Sequence, residues 1–400
     1  MNQPVAAGSR SPILDILRGI ALFGVFISNL GVFSGYVFLT FKQKNDLPTA
    51  EANRIYDFIH FAFIDGKFYS IFSLLFGIGF AVFLTKSKGI LIFYKRLIIL
   101  IGIGLAHAFL LWEGDILLLY ALLGLLLPLF AKLSNKSILV IAVCLILSPI
   151  LLDATRELSH GKFAPEMYFY KRGGEVDKKM GIASNTDFIV LVQKADYSQI
   201  KDLLVSGFYY RWGGLFESNR FPKVLALFLI GMMIGRNRWY EHLNEKKSFL
   251  IRFRKQMFLL GFPTTLLFGY INVFVKDVPQ VLEAATYALS VIPMAFVYVC
   301  SIVLLYMRNA NTFTFFGFVG KMTLTNYILQ SSSAYLFFYG TGLALFGKTG
   351  SVFFPLIAIS FYALQAFLSR LWLRYFEFGP LEWIWRQLTY GKWIRLTKVH

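Results

Sequence analysis

His107 is followed within eight residues by Glu113 and Asp115, and no other histidine in the chain has two carboxylates so close behind it near an apolar run. A carboxylate beside an imidazole fixes its tautomer, orients the ring and raises its basicity, as a general base requires. His107 is therefore a candidate base, with Asp115 or Glu113 as its orienting group. The alternative is a buried histidine that only ties helices together. Asn29 is the second polar residue in an expensive place, near the middle of an apolar run. Its amide serves either to bond a neighbouring helix or to donate to an oxyanion forming in a water-poor site.

Three further groups are candidates to hold a substrate. Arg18 follows Asp15 by one helical turn, which suits an interfacial anchor and a local ion pair. Asp65 and Lys67, in Asp65-Gly66-Lys67-Phe68, form either an exposed pair or the mouth of a cavity. Thr323, Asn326 and Gln330 recur at helical spacing with Tyr327 beside them. They read equally well as interhelical glue or as the lining of a headgroup site.

The elements that carry these residues are membrane helices. The chain is 57% hydrophobic, 18% aromatic and only 16% charged, whereas about a quarter of the residues of a soluble domain are charged. Uncharged apolar runs cover 19–41, 68–85, 97–112, 116–131, 137–152, 224–235, 256–275, 284–307, 322–347 and 349–369. Roughly 17–25 apolar residues in helix span a bilayer core. The runs predict an all-α, polytopic bundle of about ten transmembrane helices, with 224–235 short enough to be a buried or re-entrant segment. They lack the alternation of a barrel strand. The expected organisation is a membrane half over 1–152, a polar extracytoplasmic loop or cap over 153–223, a second membrane half over 224–375 and an interfacial tail over 376–400. Asp187 to Trp212 looks amphipathic, and Trp383 and Trp385 suit anchoring at a membrane surface.

The net charge of +18 follows the same topology. With the N-terminus inside, the inner segments 1–12, 86–96, 132–136, 236–255, 308–321 and 370–400 hold 22 Lys/Arg, against Lys42, Lys44, Arg54, Lys67, Lys276 and Lys348 in the short outer connections. This is the positive-inside pattern, and both termini are expected in the cytoplasm. Topology and anionic-lipid contact account for the charge without nucleic acid. Cys144 and Cys300 both fall in apolar runs, which implies no disulfide framework. The first apolar run is too long for a signal-peptide core and should stay in place. Gly317-Phe318-Val319-Gly320-Lys321 lacks phosphate-loop spacing, and no His-Glu-x-x-His or Cys-x-x-Cys occurs, so no metal is expected.

Arg18-Gly19-Ile20-Ala21-Leu22-Phe23-Gly24 through Asn29, Lys67-Phe68 through Gly77, and His107 followed by Trp112-Glu113-Gly114-Asp115 through Tyr120 come in that order. Gly320-Lys321-Met322-Thr323-Leu324-Thr325-Asn326-Tyr327 and Gly379-Pro380-Leu381-Glu382-Trp383 follow later. In these motifs the chain resembles the YeiB-like family, called domain of unknown function 418, over nearly its whole length. That family is similar, more distantly, to transmembrane acyltransferases such as heparan-α-glucosaminide N-acetyltransferase and the acyltransferase-3 group. The resemblance implies transfer of an acyl group from cytoplasmic acyl-CoA to an acceptor on the far side. Arg18, Asn29 and Asp65 match the wider pattern. The superfamily's catalytic histidine has no counterpart here: position 29 is Asn, and His60 is offset. The base then falls to His107.

Two functions are carried forward. In the first, the protein is a bacterial inner-membrane acyltransferase. Acyl-CoA is then a co-substrate rather than a resident cofactor. Arg96, Arg236, Arg238 or Arg252 hold its phosphates and its acyl chain threads into the bundle. His107 is the base, oriented by Asp115 or Glu113, and Asn29 serves the oxyanion. Arg18, Asp65, Lys67, Arg96, Tyr120, Asn326, Tyr327 and Gln330 line the substrate path. In the second, the same residues line the path of a transporter or lipid-handling protein without covalent chemistry. Expected partners are membrane lipids, a glycan or lipid acceptor and a second copy of the chain.

Overall fold

The computed structural model describes residues 11–86, 89–160 and 162–398. Arg10 and Lys88, counted above among the inner basic residues, lie outside that range. The described chain is helical throughout, with one isolated bridge between Phe376 and Thr397. The helices are α1 (Pro12–Phe33), α2 (Phe41–Asn45), α3 (Ala50–Phe63), α4 (Lys67–Lys86), α5 (Ile90–Leu110), α6 (Leu117–Gly124), α7 (Leu127–Phe130), α8 (Asn135–Leu158) and α9 (Glu166–Lys179). They continue as α10 (Asn185–Lys194), α11 (Tyr197–Glu217), α12 (Arg220–Arg236), α13 (Leu243–Phe274), α14 (Gln280–Arg308), α15 (Thr314–Lys321), α16 (Thr323–Phe338), α17 (Phe354–Tyr375) and α18 (Pro380–Tyr390).

Among the described residues, seven segments are long and apolar enough to cross a membrane: Pro12–Phe33, Ala50–Thr85, Ile90–Leu110, Asn135–Leu158, Leu243–Phe274, Gln280–Arg308 and Ser351–Tyr375. The other three apolar runs form shorter helices: α6 with α7, the 17-residue α12 and the 16-residue α16. Of these, α6 and α12 are largely enclosed by the rest, whereas α16 keeps Leu329, Leu336 and Phe337 exposed. Every residue of α6 except Leu122 is buried, and Val224, Ala226, Phe228 and Leu229 of α12 have no exposed surface. A helix surrounded by protein need not match the bilayer thickness, because its backbone polar groups are satisfied internally.

The α4–α12 contact depends on glycine. A Cβ at Gly77 would lie 2.0 Å from the Phe228 carbonyl oxygen, and one at Gly231 would lie 2.0 Å from that of Leu74. Backbones at that separation allow the close helix pairing that small residues provide in apolar bundles.

Several local expectations change. The first apolar run is shifted: α1 starts at Pro12 and ends at Phe33, where Ser34 and Gly35 (φ 75°) turn the chain. Residues 42–67, read as a short connection, contain α3, because Ala50-Glu51-Ala52-Asn53 begins a regular turn despite its polarity. The amphipathic stretch 187–212 spans two helices, α10 and α11, parted where Asp196 caps α11 through the Gln199 N–H. The 153–223 segment folds as the end of α8 with α9, α10 and α11. Ile189, Val192, Ile200 and Leu203 join α1 and α16 side chains in one apolar cluster. The tail forms α18, whose Trp385 donates to the Arg96 carbonyl, so it packs on the bundle instead of only anchoring at a surface.

Candidate functional site

α5 ends by looping back at Leu111 and Trp112, whose N–H groups both bond the His107 carbonyl. The loop then passes close to α5 at Gly104, where a Cβ would stand 2.8 Å from Leu118 N and 3.0 Å from Asp115 Oδ1. This approach places Asp115 Oδ2 2.8 Å from His107 Nδ1, with both side chains almost wholly buried. Asp115 Oδ1 accepts the Leu118 N–H at 2.7 Å and so caps α6. The carboxylate therefore faces Nδ1, and the opposite ring nitrogen, Nε2, is buried without a protein partner. The Tyr327 ring lies 5.1 Å from the imidazole, and its hydroxyl accepts the Ile116 N–H. An imidazole held by carboxylate on one side and unpartnered on the other can take a proton from a donor that reaches Nε2.

Glu113 is not at the imidazole. It packs on α11, where a Cβ at Gly207 would approach its Cγ to 2.5 Å. Burial pushes its carboxyl up to about 7, opposed by the charge of Arg211. Asn29 is half-buried and shares a helical stripe of α1 with Leu22 and Val25.

Leu22 and Val25 line a cavity of about 330 Å³. One end is basic and polar, bordered by Arg18, Arg96, Lys321 and Arg386 with Asp15 and Glu382. The other reaches Phe72, Ile116, Tyr120 and Tyr327, and the Tyr327 ring separates it from His107. The walls between are apolar: Leu22 and Val25 on α1 and Phe72 to Phe83 on α4, the latter about 16 Å of helix at 1.5 Å per residue. At the mouth, Arg18 Nη1 meets Asp15 at 2.7 Å, and the Arg96 guanidinium stacks 3.8 Å from the Trp385 ring. Glu382 accepts the N–H groups of Leu324 and Thr325 and the Thr325 hydroxyl, capping α16. Tyr120 is fully buried at the far end, with its hydroxyl 2.6 Å from Ser73 Oγ.

The structure thus brings together His107, Asp115, Tyr327 and Tyr120 at one end of the cavity and Arg18 and Arg96 at the other. The remaining predicted residues are elsewhere. Asn326 bonds Ser369 and Gln330 bonds Gln365, so both tie α16 to α17 and neither borders the cavity. Lys67 is wholly buried and donates to the Phe61 carbonyl, satisfying the break between α3 and α4. Asp65 is at the same break, away from the cavity. Arg236 holds the Ala131 and Leu133 carbonyls, Arg238 pairs with Glu241, and Arg252 bonds the Ser248 carbonyl. Lys321, Trp385 and Arg386 were not singled out for the site. Nothing in their spacing links the C-terminal helix to α5.

A family model described as "Protein of unknown function (DUF418)" matches residues 234–392. The uncharacterized protein YxaH of Bacillus subtilis (strain 168) is 30% identical across 99% of this chain and 98% of its own length. The chain belongs to the DUF418 family. The uncharacterized protein YeiB of Escherichia coli (strain K12) is 26% identical over 95% of this DUF418 chain and 96% of its own. A similar match is an uncharacterized 39.9 kDa protein from the amylase 3′ region of Bacillus acidopullulyticus, 26% identical over 97% and 96%. No solved structure matches. The DUF418 match contains α16 and α18, which close one wall of the cavity, whereas His107 and Asp115 lie in the half before it.

Proposed function

We propose that this DUF418 protein is a multi-pass membrane acyltransferase of the bacterial inner membrane that takes acyl-CoA from the cytoplasmic side. The observation that carries this reading is the cavity itself. From its basic mouth an apolar passage runs about 16 Å to Tyr327, whose ring packs against the buried His107 of the His107–Asp115 pair. In this reading ten segments cross the membrane, both termini are cytoplasmic, and the 153–223 helices cap the outer face between two membrane halves. Arg18, Arg96, Lys321 and Arg386 then face the cytoplasm and hold the phosphates of CoA, as guanidinium forks do well. The pantetheine arm occupies the passage and carries the thioester to the level of Tyr120 and Tyr327. Threading by the arm, rather than by the acyl chain, is what brings the reacting carbonyl towards His107.

The chemistry needs only the chain's own groups. His107 Nε2 takes the proton of an acceptor hydroxyl or amine while the acceptor atom attacks the thioester carbonyl. Asn29, one turn beyond Val25, is the candidate donor to the developing oxyanion. The C–S bond then breaks, and the imidazolium returns its proton to the departing thiolate, giving CoA thiol and acylated acceptor. The Tyr327 ring must turn aside for the two halves of the reaction to meet. Asp115 holds the Nδ1–H throughout.

The apolar walls favour one second reading, in which a lipid chain fills the passage with its headgroup at the mouth and no bond is made. Thiol release separates the two. Protein in nanodiscs is mixed with acetyl-CoA and an envelope lipid extract, and free thiol is followed. Acyl transfer predicts thiol release by wild type and its loss in His107→Ala, with acetyl-CoA still raising the unfolding midpoint of the variant. Release at the wild-type rate from His107→Ala would sink the assignment of the base. No release and no stabilisation by any acyl-CoA would favour the lipid reading.

A further inference from the structure

At the end of the bundle opposite the basic mouth, Arg211 of α11 faces the Glu113–Asp115 loop, and Arg220 of α12 lies within electrostatic range of Arg211, against Tyr69. The corner between these helices is rigid. Asn219 takes a left-handed conformation (φ 46°) there and donates to Asp153 Oδ1 at 2.6 Å. Arg156 bonds Asp153 and the carbonyls of Phe216 and Glu217. Arg220, the first residue of α12, lies with its guanidinium 4.2 Å from the Tyr69 ring. Lys223, one turn on, sits 3.8 Å from the Tyr287 ring and bonds the Ser218 carbonyl. Arg211 is one turn beyond Gly207, the residue against which Glu113 packs, and therefore on the same face of α11.

Neither Arg211 nor Arg220 forms an ion pair among the described residues; Glu113 and Asp115 act on Arg211 only through their charge, and Arg220 hydrogen-bonds Tyr69 and feels the charge of Asp65. Arg211 Nε is buried with no partner, and so are Trp112 Nε1 and His107 Nε2. The His107 and Trp112 rings are 6.3 Å apart. A guanidinium N–H buried without an acceptor is costly. Two donors and one acceptor left unsatisfied around one loop match a ligand that brings oxygen acceptors and a hydroxyl together. Two guanidinium forks suit a phosphate better than a single carboxylate.

We propose that Arg211 and Arg220 bind the phosphate of a phosphate-bearing polyol, placing one of its hydroxyls at His107 Nε2. This names the acceptor class of the acyl transfer inferred above and rests on that reading. The same chemistry is offered by a phospholipid with a glycerol headgroup and by soluble glycerol 3-phosphate.

The test uses the full chain in phosphatidylcholine nanodiscs and reads the unfolding midpoint. Phosphatidylglycerol is titrated into the nanodiscs in one arm, and glycerol 3-phosphate into the buffer in another; acetyl-CoA is run in parallel. The expected result is stabilisation in at least one of the two phosphate arms, and whichever responds identifies the source. Arg211→Met should weaken that response about ten- to a hundredfold in apparent affinity, as for loss of a charged hydrogen bond, and leave the acetyl-CoA response intact. Should Arg211→Met not fold, Arg211→Lys, which keeps the charge and loses the fork, is expected to weaken it in the same direction. No response to either phosphate compound, or a full response in the arginine variants, overturns the acceptor assignment while a persisting acetyl-CoA response leaves the transferase reading standing. A phosphate response that needs Arg211, without any acetyl-CoA response, keeps the anion site and removes the transferase.

Discussion

Asp115 makes two buried hydrogen bonds that serve different elements, and separating them tests the architecture of the site. Oδ2 meets His107 Nδ1 at 2.8 Å and Oδ1 accepts the Leu118 N–H at 2.7 Å. Asp115→Ala removes both and leaves the imidazole N–H and the α6 N–H unsatisfied, at an expected cost of about 2–6 kcal/mol, about 1–3 for each buried donor. Asp115→Asn keeps an oxygen for Leu118 and loses only the charged bond to the ring, at an expected cost of about 1.5–3 kcal/mol. The two variants and wild type are compared by reversible unfolding in mixed micelles, followed by circular dichroism. Stability should fall in the order wild type, Asn, Ala. Activity should not follow that order: in the asparagine variant the amide N–H₂ faces Nδ1 and favours the tautomer with its proton on Nε2, so both variants should lose thiol release alike. An alanine variant within about 1 kcal/mol of wild type, or an asparagine variant no more stable than alanine, would refute this account of the two bonds.

Glu113 carries a pH prediction. Its carboxyl is raised by burial from 4.5 to about 7, so the folded protein holds a proton that the unfolded chain releases. Its contribution is therefore fully present below pH 4.5 and is lost as pH rises to about 7; Glu113→Gln should flatten that part of the stability–pH curve. Gly77→Ala and Gly231→Ala each force a methyl group onto a facing carbonyl of the α4–α12 pair, and each should lower stability by about 1–3 kcal/mol in the same unfolding assay. Glu382→Ala uncaps α16 beside the cavity mouth. It should cost about 1–3 kcal/mol, with Glu382→Gln milder, because the amide oxygen can still accept one backbone N–H.

The helical bundle was legible because continuous apolar runs have one solution in a bilayer. What composition could not convey was which runs face lipid. The shortness of 224–235 already pointed to a buried segment, as α12 is, whereas 322–347 reads like a full span and yields only the 16-residue α16, exposed along one side. α3 was missed because its Glu51, Asn53, Arg54 and Asp57 interrupt hydropathy without interrupting the helix.

Within the site, the His107–Asp115 contact was accessible because eight residues and one reversal separate the pair, and Gly104 permits the approach. Choosing Asp115 over Glu113 was not, since the direction of each side chain depends on how the loop meets α11. Asn326 and Tyr327 show the same limit within one helix. They are adjacent in sequence, but a rotation of 100° per residue turns one to Ser369 and the other to the imidazole. Trp385 reaches Arg96 across 289 residues, a contact no spacing rule encodes.

The central claim is that acyl-CoA enters at the basic mouth and carries its thioester to the His107 end of the passage. Photo-cross-linking with a short diazirine-bearing acyl-CoA, on the full chain in nanodiscs, tests it most directly. Labelled peptides should contain Tyr120, Tyr327 or His107, and Arg96→Ala should abolish the labelling. Labels confined to α18 and the start of α5, or labelling of the far end that survives loss of Arg96, would contradict it.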